Sequence, residues 1–88
     1  MGQSKSKKIE PVAKLIPFGI HIADLRKGHN PPLSQEDISG LCDLDRTYIS
    51  GIETGKRNVS LLNIFKLAKA LDVEPKVLLE YHGAGEAR

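Results

Sequence analysis

Cysteine is almost missing from these 88 residues, and Cys42 stands alone. One thiol closes no internal disulfide and, without a second cysteine, makes no zinc site. His21, His29 and His82 are scattered, with no partner at metal-ligand spacing, and read as ordinary surface or loop residues. No apolar run nears the roughly 18 residues that span a bilayer, and the N-terminus has no signal-peptide core. The expected setting is a reducing cytoplasm, away from membranes. Strand signals, internal repeats and a Ser/His/Asp constellation are also lacking. The glycines at Gly83 and Gly85 sit in a polar tail without nucleotide-site context. No enzyme, cofactor or small-molecule ligand is predicted.

Charge of one sign is scarce as well. The formal net charge is +2, and three of the thirteen basic residues, Lys5, Lys7 and Lys8, fall in the first eight positions. Beyond them ten basic residues face eleven acidic ones, a net of −1. Any nucleic-acid reading must therefore rest on where charge is placed, not on its total. A chain this short buries only about 60–70% of its unfolded surface, so pairing with a second copy would help its stability.

What the chain does have is one local signal used three times. Leu33-Ser34…Ile38, Leu44-Asp45…Ile49 and Val59-Ser60…Ile64 each place an apolar residue, a capping residue and a second apolar residue four further on. That is an N-cap with a hydrophobic staple, and Asp37 completes a capping box behind Ser34. Helices are predicted to start at 35, 46 and 61. An earlier one runs over Phe18–Lys27, where Phe18, Ile22 and Leu25 recur at helical spacing and Gly28 ends it. His29-Asn30-Pro31-Pro32 is a rigid loop. Pro17 should break any helix running through Ile9–Ile16, and Pro75 should open a last helix carrying Val77, Leu78 and Tyr81. The expected layout is a partly disordered basic arm over 1–16, an all-α unit of five helices over 17–82, and a disordered tail over 83–88.

The stretch Leu33–Ser60 is the most informative. Two short helices so close together cannot pack antiparallel and must cross steeply, as in a helix-turn-helix that projects its second helix into a DNA groove. On the second helix Ile49 and Ile52 mark the buried face. Thr47, Ser50, Gly51 and Thr54 fall opposite, with Arg46 on the flank and no acid or large apolar group among them. Gly51 costs about 1 kcal/mol against Ala, which marks either close backbone approach or plain tolerance. Alone, such a face is simply solvated; its neighbours argue otherwise. Gln35 opens the preceding helix, where backbone N–H groups can clamp a phosphate, and Lys56, Arg57 and Asn58 follow within reach of the flanking strand. Cys42 reads as a small buried hydrophobe in the turn.

Several motifs together resemble the phage-repressor/Cro-like helix-turn-helix family. They are Ile-Ala-Asp-Leu-Arg-Lys, Leu-Ser-Gln-Glu-Asp-Ile, Tyr-Ile-Ser-Gly-Ile-Glu-Thr-Gly-Lys-Arg-Asn-Val-Ser and Leu-Ala-Lys-Ala-Leu-Asp-Val. The likeness runs over Phe18–Glu80, about seven-tenths of the chain. Asp-Arg-Thr-Tyr-Ile-Ser-Gly-Ile-Glu followed by Arg-Asn-Val-Ser is most similar to the controller proteins of restriction–modification systems. The resemblance implies a five-helix, lambda-repressor-like domain that regulates transcription. It would bind double-stranded DNA at a pseudo-palindromic operator as a homodimer, upstream of its own and the nuclease gene.

The resemblance also assigns residues. Arg46, Thr47 and Gly51 would face base edges; Gly51 has no side chain to read with, which shifts the burden to Arg46 and Thr47. Gln35, Tyr48, Ser50, Thr54, Lys56, Arg57 and Asn58 would position the DNA backbone. Arg26 and Glu53 match the family's ion pair between helices 1 and 3. The loop Gly28–Pro32 is two residues longer than the commonest spacing, and either alters how helix 2 meets phosphates or bulges into solvent. Leu62, Phe65, Val77, Leu79 and Tyr81 exceed what a small core needs. They form a dimer face or close the monomer's own core. The rival reading is a protein-interaction module of antitoxin or adaptor type, which would expose more apolar groups on helix 3 than Tyr48 alone.

Overall fold

Three capping side chains set the frame of the fold. In the computed structural model, which describes residues 9–81, Ser34 Oγ accepts the Asp37 N–H at 2.9 Å while Asp37 Oδ2 accepts the Ser34 N–H at 2.8 Å. Asp45 Oδ2 accepts the Thr47 N–H at 2.8 Å, and Ser60 Oγ accepts the Asn63 N–H at 3.1 Å. Each satisfies a donor that the first helical turn leaves unpaired. The helices they open are α2 (Gln35–Cys42), α3 (Arg46–Glu53) and α4 (Leu61–Leu71), starting at the predicted residues. The basic stretch Met1–Lys8, His82 and the tail 83–88 lie outside the described residues.

Helix α1 spans Ile16–Lys27 and begins earlier than its apolar periodicity suggests. No helix runs through residues 9–15, and Pro17 sits in the first turn of α1, where a missing N–H costs nothing and the fixed φ already suits a helix. A second correction concerns the helix count. Among the described residues there are four α-helices, not five, and no strand. Pro75 does open a turn, but Pro75–Leu79 is a five-residue 3₁₀ segment that ends where Glu80 leaves helical geometry at φ −95°, ψ 80°. Leu78, fully buried, holds that segment against α4 and α1.

Every element contributes to one buried cluster: Phe18 and Ile22 from α1, Ile38 and Cys42 from α2, Ile49 and Ile52 from α3, Ile64, Leu67, Ala68 and Leu71 from α4, and Leu78. Each large aliphatic side chain buried in this way contributes about 1.5–3 kcal/mol. The histidines do more than the sequence suggested. His21 Nε2 donates to the Val77 carbonyl at 2.7 Å, and His29 Nε2 to the Leu71 carbonyl at 2.8 Å. Both thus fasten α1 and the loop after it to the C-terminal part of the chain. Tyr81 stacks edge-on against Phe18 with ring centroids 6.0 Å apart. The Gly28–Pro32 loop, with a cis Asn30–Pro31 bond, has His29 hooked inward and its other residues exposed. No described helix is long and apolar enough to cross a membrane.

Candidate nucleic-acid interface

Three residues, Asp43 to Asp45, separate α2 from α3. Asp43 takes the left-handed conformation at φ 58°, a step that Asp tolerates better than most residues, and Asp45 at once caps the next helix. Ser39 Oγ donates to the Leu44 carbonyl and braces the turn from behind. Ile38, Cys42, Ile49 and Ile52 are buried beneath it, and burial pushes the Cys42 thiol up from its ordinary value. Arg46, Thr47 and Thr54 are left exposed, with Ser50 and Gly51 partly so.

The far end of α3 is fixed just as firmly. The Lys56 N–H donates to the Gly51 carbonyl at 2.8 Å and the Gly55 N–H to the Ile52 carbonyl at 3.1 Å. This double closure requires a left-handed residue, and Gly55 supplies it at φ 78°. Ile16 packs directly on Gly55, and the Val12 N–H donates to the Gly55 carbonyl at 2.8 Å. Gly19 lets α1 lie against the last carbonyls of α3, where a Cβ would collide with the Ile52 and Glu53 oxygens. Lys56 and Asn58 are exposed just beyond.

Arg57 explains the glycine inside α3. A Cβ at position 51 would come within 2.6 Å of Arg57 Cγ, so the aliphatic stem of Arg57 crosses the outer face of the helix over Gly51. Neither backbone approach nor plain tolerance describes Gly51: the group that crosses it is a side chain, which sequence spacing does not reveal. Tyr48 is half-buried against the core. Its hydroxyl donates to the Asn58 carbonyl at 3.4 Å and accepts from Asn63 Nδ2 at 3.1 Å, tying α3 to the start of α4. Thr54 Oγ1 donates back to the Ser50 carbonyl at 3.0 Å.

Behind this face Arg26 and Glu53 form a two-pronged ion pair, Nε to Oε2 at 2.7 Å and Nη2 to Oε1 at 2.8 Å. Their side chains are only 11% and 6% exposed, so the pair is shielded from solvent. The hydrogen bond to Glu53 raises the Arg26 pKa against the opposing pull of burial. Arg26 Nη1 also donates to the Leu33 carbonyl at 2.9 Å. Gln35 joins the cluster, donating through Nε2 to Glu53 Oε1 at 2.9 Å and accepting from Arg46 Nη1 at 3.1 Å. Its side chain thus turns along the protein toward α3. No spacing in the sequence signals that link.

Of the apolar set on the other side, Leu62, Phe65 and Leu79 are at the surface, 63%, 49% and 63% exposed, and Leu61 beside them is equally open. Val77 is half-buried and Tyr81 packs on the core. Among the described residues no three His, Cys, Asp or Glu side chains are grouped to hold a metal.

A buried helix-turn-helix hinge and an outward second helix that bears polar groups and cations on an acid-free face match known proteins. The helix-turn-helix family matches residues 22–78. Control protein C.BamHI of Bacillus amyloliquefaciens is 50% identical over 68 residues, covering 77% of this chain and 83% of that protein. This chain belongs to the helix-turn-helix family of restriction–modification controller proteins. The crystal structure of the controller protein C.AhdI from Aeromonas hydrophila agrees. It is 51% identical, with a TM-score of 0.71, and the match covers 76% of this chain and 98% of that one. The controller protein C.Esp1396I, solved as a tetramer in complex with its natural 35 base-pair operator, is 35% identical at a TM-score of 0.66, covering 75% of this chain and 84% of that one.

Proposed function

We propose that this chain is a sequence-specific regulator of transcription. It binds a pseudo-palindromic operator in double-stranded DNA as a homodimer, with α3 in the major groove. The observation that carries the reading is the outer face of α3: Arg46, Thr47, Ser50 and Thr54 face outward, and Lys56 and Arg57 border them. Membership of the controller group, and an operator complex of C.Esp1396I, support the same partner.

In this reading Arg46 and Thr47 meet base edges, Arg through paired bonds to a guanine O6 and N7 and Thr through its methyl group. Position 51 contributes by making room. Arg57, expected on the phosphates, passes over Gly51 with its stem and Nε, and in this reading it shares the base-facing side. Gln35, Tyr48, Ser50, Thr54, Lys56 and Asn58 stand at the edges of the contact, where backbone positioning is done. Ile16 opens α1 and the Val12 N–H bonds to the Gly55 carbonyl, so the folded unit takes in the end of the arm expected over 1–16. One unit of this size buries only about 600–1,000 Å² of its surface on DNA, so a two-fold pair with half-sites roughly one helical turn apart supplies both affinity and selectivity. Leu62, Phe65 and Leu79 give that pair its apolar contact, with Val77 and Tyr81 supporting from beneath.

Selection from random duplex DNA at near-physiological salt tests the proposal. Recovery of a two-fold symmetric site, bound by two copies, is the expected result. Retention without sequence preference would overturn it in favour of a protein-partner role.

A further inference from the structure

We infer that His21 is a positioning residue for dimerisation: its imidazole fixes the segment Pro75–Leu79 so that Leu79 meets a second copy of the chain. The inference rests on the homodimer reading for its consequence, and on geometry for its mechanism.

Leu79 is as exposed as Leu62, and it lines one open apolar groove with Leu61 and Tyr81. The element that carries it cannot set its direction alone. A 3₁₀ segment of five residues has poorer bonds than an α-helix, and its closing bond, Glu80 N–H to the Val77 carbonyl, is 3.2 Å long. Leu78, wholly buried, ties the segment to the core at one point. One point is a pivot: with three residues per turn, rotation about it swings Leu79 along the surface. His21 supplies the second point. Its Nε2 donates to the Val77 carbonyl at 2.7 Å, using the lone pair that Glu80 leaves free. The ring lies against Tyr81 with centroids 5.6 Å apart, and Tyr81 in turn rests edge-on on Phe18. Helix α1 thereby holds the chain on both sides of Leu79, at Val77 before it and at Tyr81 after. A side chain ordered before association loses less freedom when its partner arrives.

His29 makes a bond of the same kind, Nε2 to the Leu71 carbonyl at 2.8 Å, on the other flank of the corner between α4 and the 3₁₀ segment. There the bond is backed up. Helix α4 closes its own end, with the Asp72 N–H on the Lys69 carbonyl at 3.1 Å and the Val73 N–H on the Ala68 carbonyl at 3.0 Å. The His21 bond bears on the dimer face and the His29 bond does not, which makes His29 an internal control.

Full-length variants separate this role from general bracing. His21→Met fills similar space without a donor, His21→Gln restores a donor at nearly the same reach, and His29→Met removes the other bond. Sedimentation gives the monomer–dimer dissociation constant of each folded protein. His21→Met should weaken the dimer about tenfold, the worth of one lost hydrogen bond at the upper end of its range. His21→Gln should recover most of that loss, and His29→Met should leave the constant unchanged. Affinity for a duplex with a single half-site should be the same in every variant, while the full operator loses affinity with His21→Met. An unchanged dimer in His21→Met overturns the inference, as does an equal loss in His29→Met or on the half-site, which would mean general loosening. A Gln variant no better than Met also overturns it, since the bond would then have no role. The native chain supplies a reading that no variant can spoil. Nitrogen NMR of the imidazoles should show a slowly exchanging Nε2–H on His21, and a bare or freely exchanging Nε2 overturns the bond itself. A native chain that stays monomeric sinks the homodimer reading and takes the inference with it. A native dimer indifferent to His21→Met sinks the inference alone.

Discussion

The stem of Arg57 lies across Gly51, close enough that any side chain at position 51 would displace it. Gly51→Ala should therefore separate stability from binding. Ala is the better helix former by about 1 kcal/mol, so the thermal midpoint should hold or rise. Operator affinity should fall by about 1–3 kcal/mol as Arg57 is pushed aside. Calorimetry and a binding titration on the same protein check both.

Two left-handed positions should respond oppositely to substitution. Gly55→Ala must force a Cβ into φ 78° and against Ile16, and should cost about 2 kcal/mol or more. Asp72 ends α4 at φ 59°, with the Val73 N–H donating to the Ala68 carbonyl at 3.0 Å, so Asp72→Gly should stabilise by about 0.5–1 kcal/mol. Urea midpoints at constant slope would report both.

Breaking the Arg26–Glu53 pair from one side should be severe. Arg26→Met leaves Glu53 shielded and short of its main partner, at a cost of about 3 kcal/mol. Arg26→Met with Glu53→Leu should recover much of that loss, since no buried charge remains. A double-mutant cycle in chemical denaturation measures the coupling.

Asp37 gives the fold a defined acid dependence. Backbone and side-chain hydrogen bonds from Ser34 hold its pKa below the ordinary aspartate value. A depressed folded value means that the stabilisation is complete above the unfolded pKa of about 3.9, and is lost as pH falls through the folded value. Ser34→Ala keeps the Ser34 N–H, the larger cause, and should retain most of that acid limb, while Asp37→Asn should lower stability at neutral pH and remove the limb. Thermal midpoints from pH 7 downward test this.

What could be read from sequence was what is decided locally. Ser34, Asp45 and Ser60 cap helices within three residues of themselves, so the starts of α2, α3 and α4 follow from spacing. The period of Ile49 and Ile52 likewise settled which side of α3 turns inward. The misses are tertiary. Whether Pro75–Leu79 grows into a helix depends on the chain leaving helical geometry at Glu80, which apolar content does not encode. His21 and His29 find carbonyls 56 and 42 residues away. Gln35 and Arg57 each reach α3 from another segment, and no pattern within a few residues announces either contact.

None of Thr47, Ser50 and Thr54 belongs to the buried cluster, while Ile49, Ile52 and the backbone at Gly55 are held from within by α1. The surface proposed to choose a DNA sequence and the surface that keeps the chain folded share one short helix yet almost no side chains. A new address can be written along one edge of α3 without rewriting the scaffold beneath it.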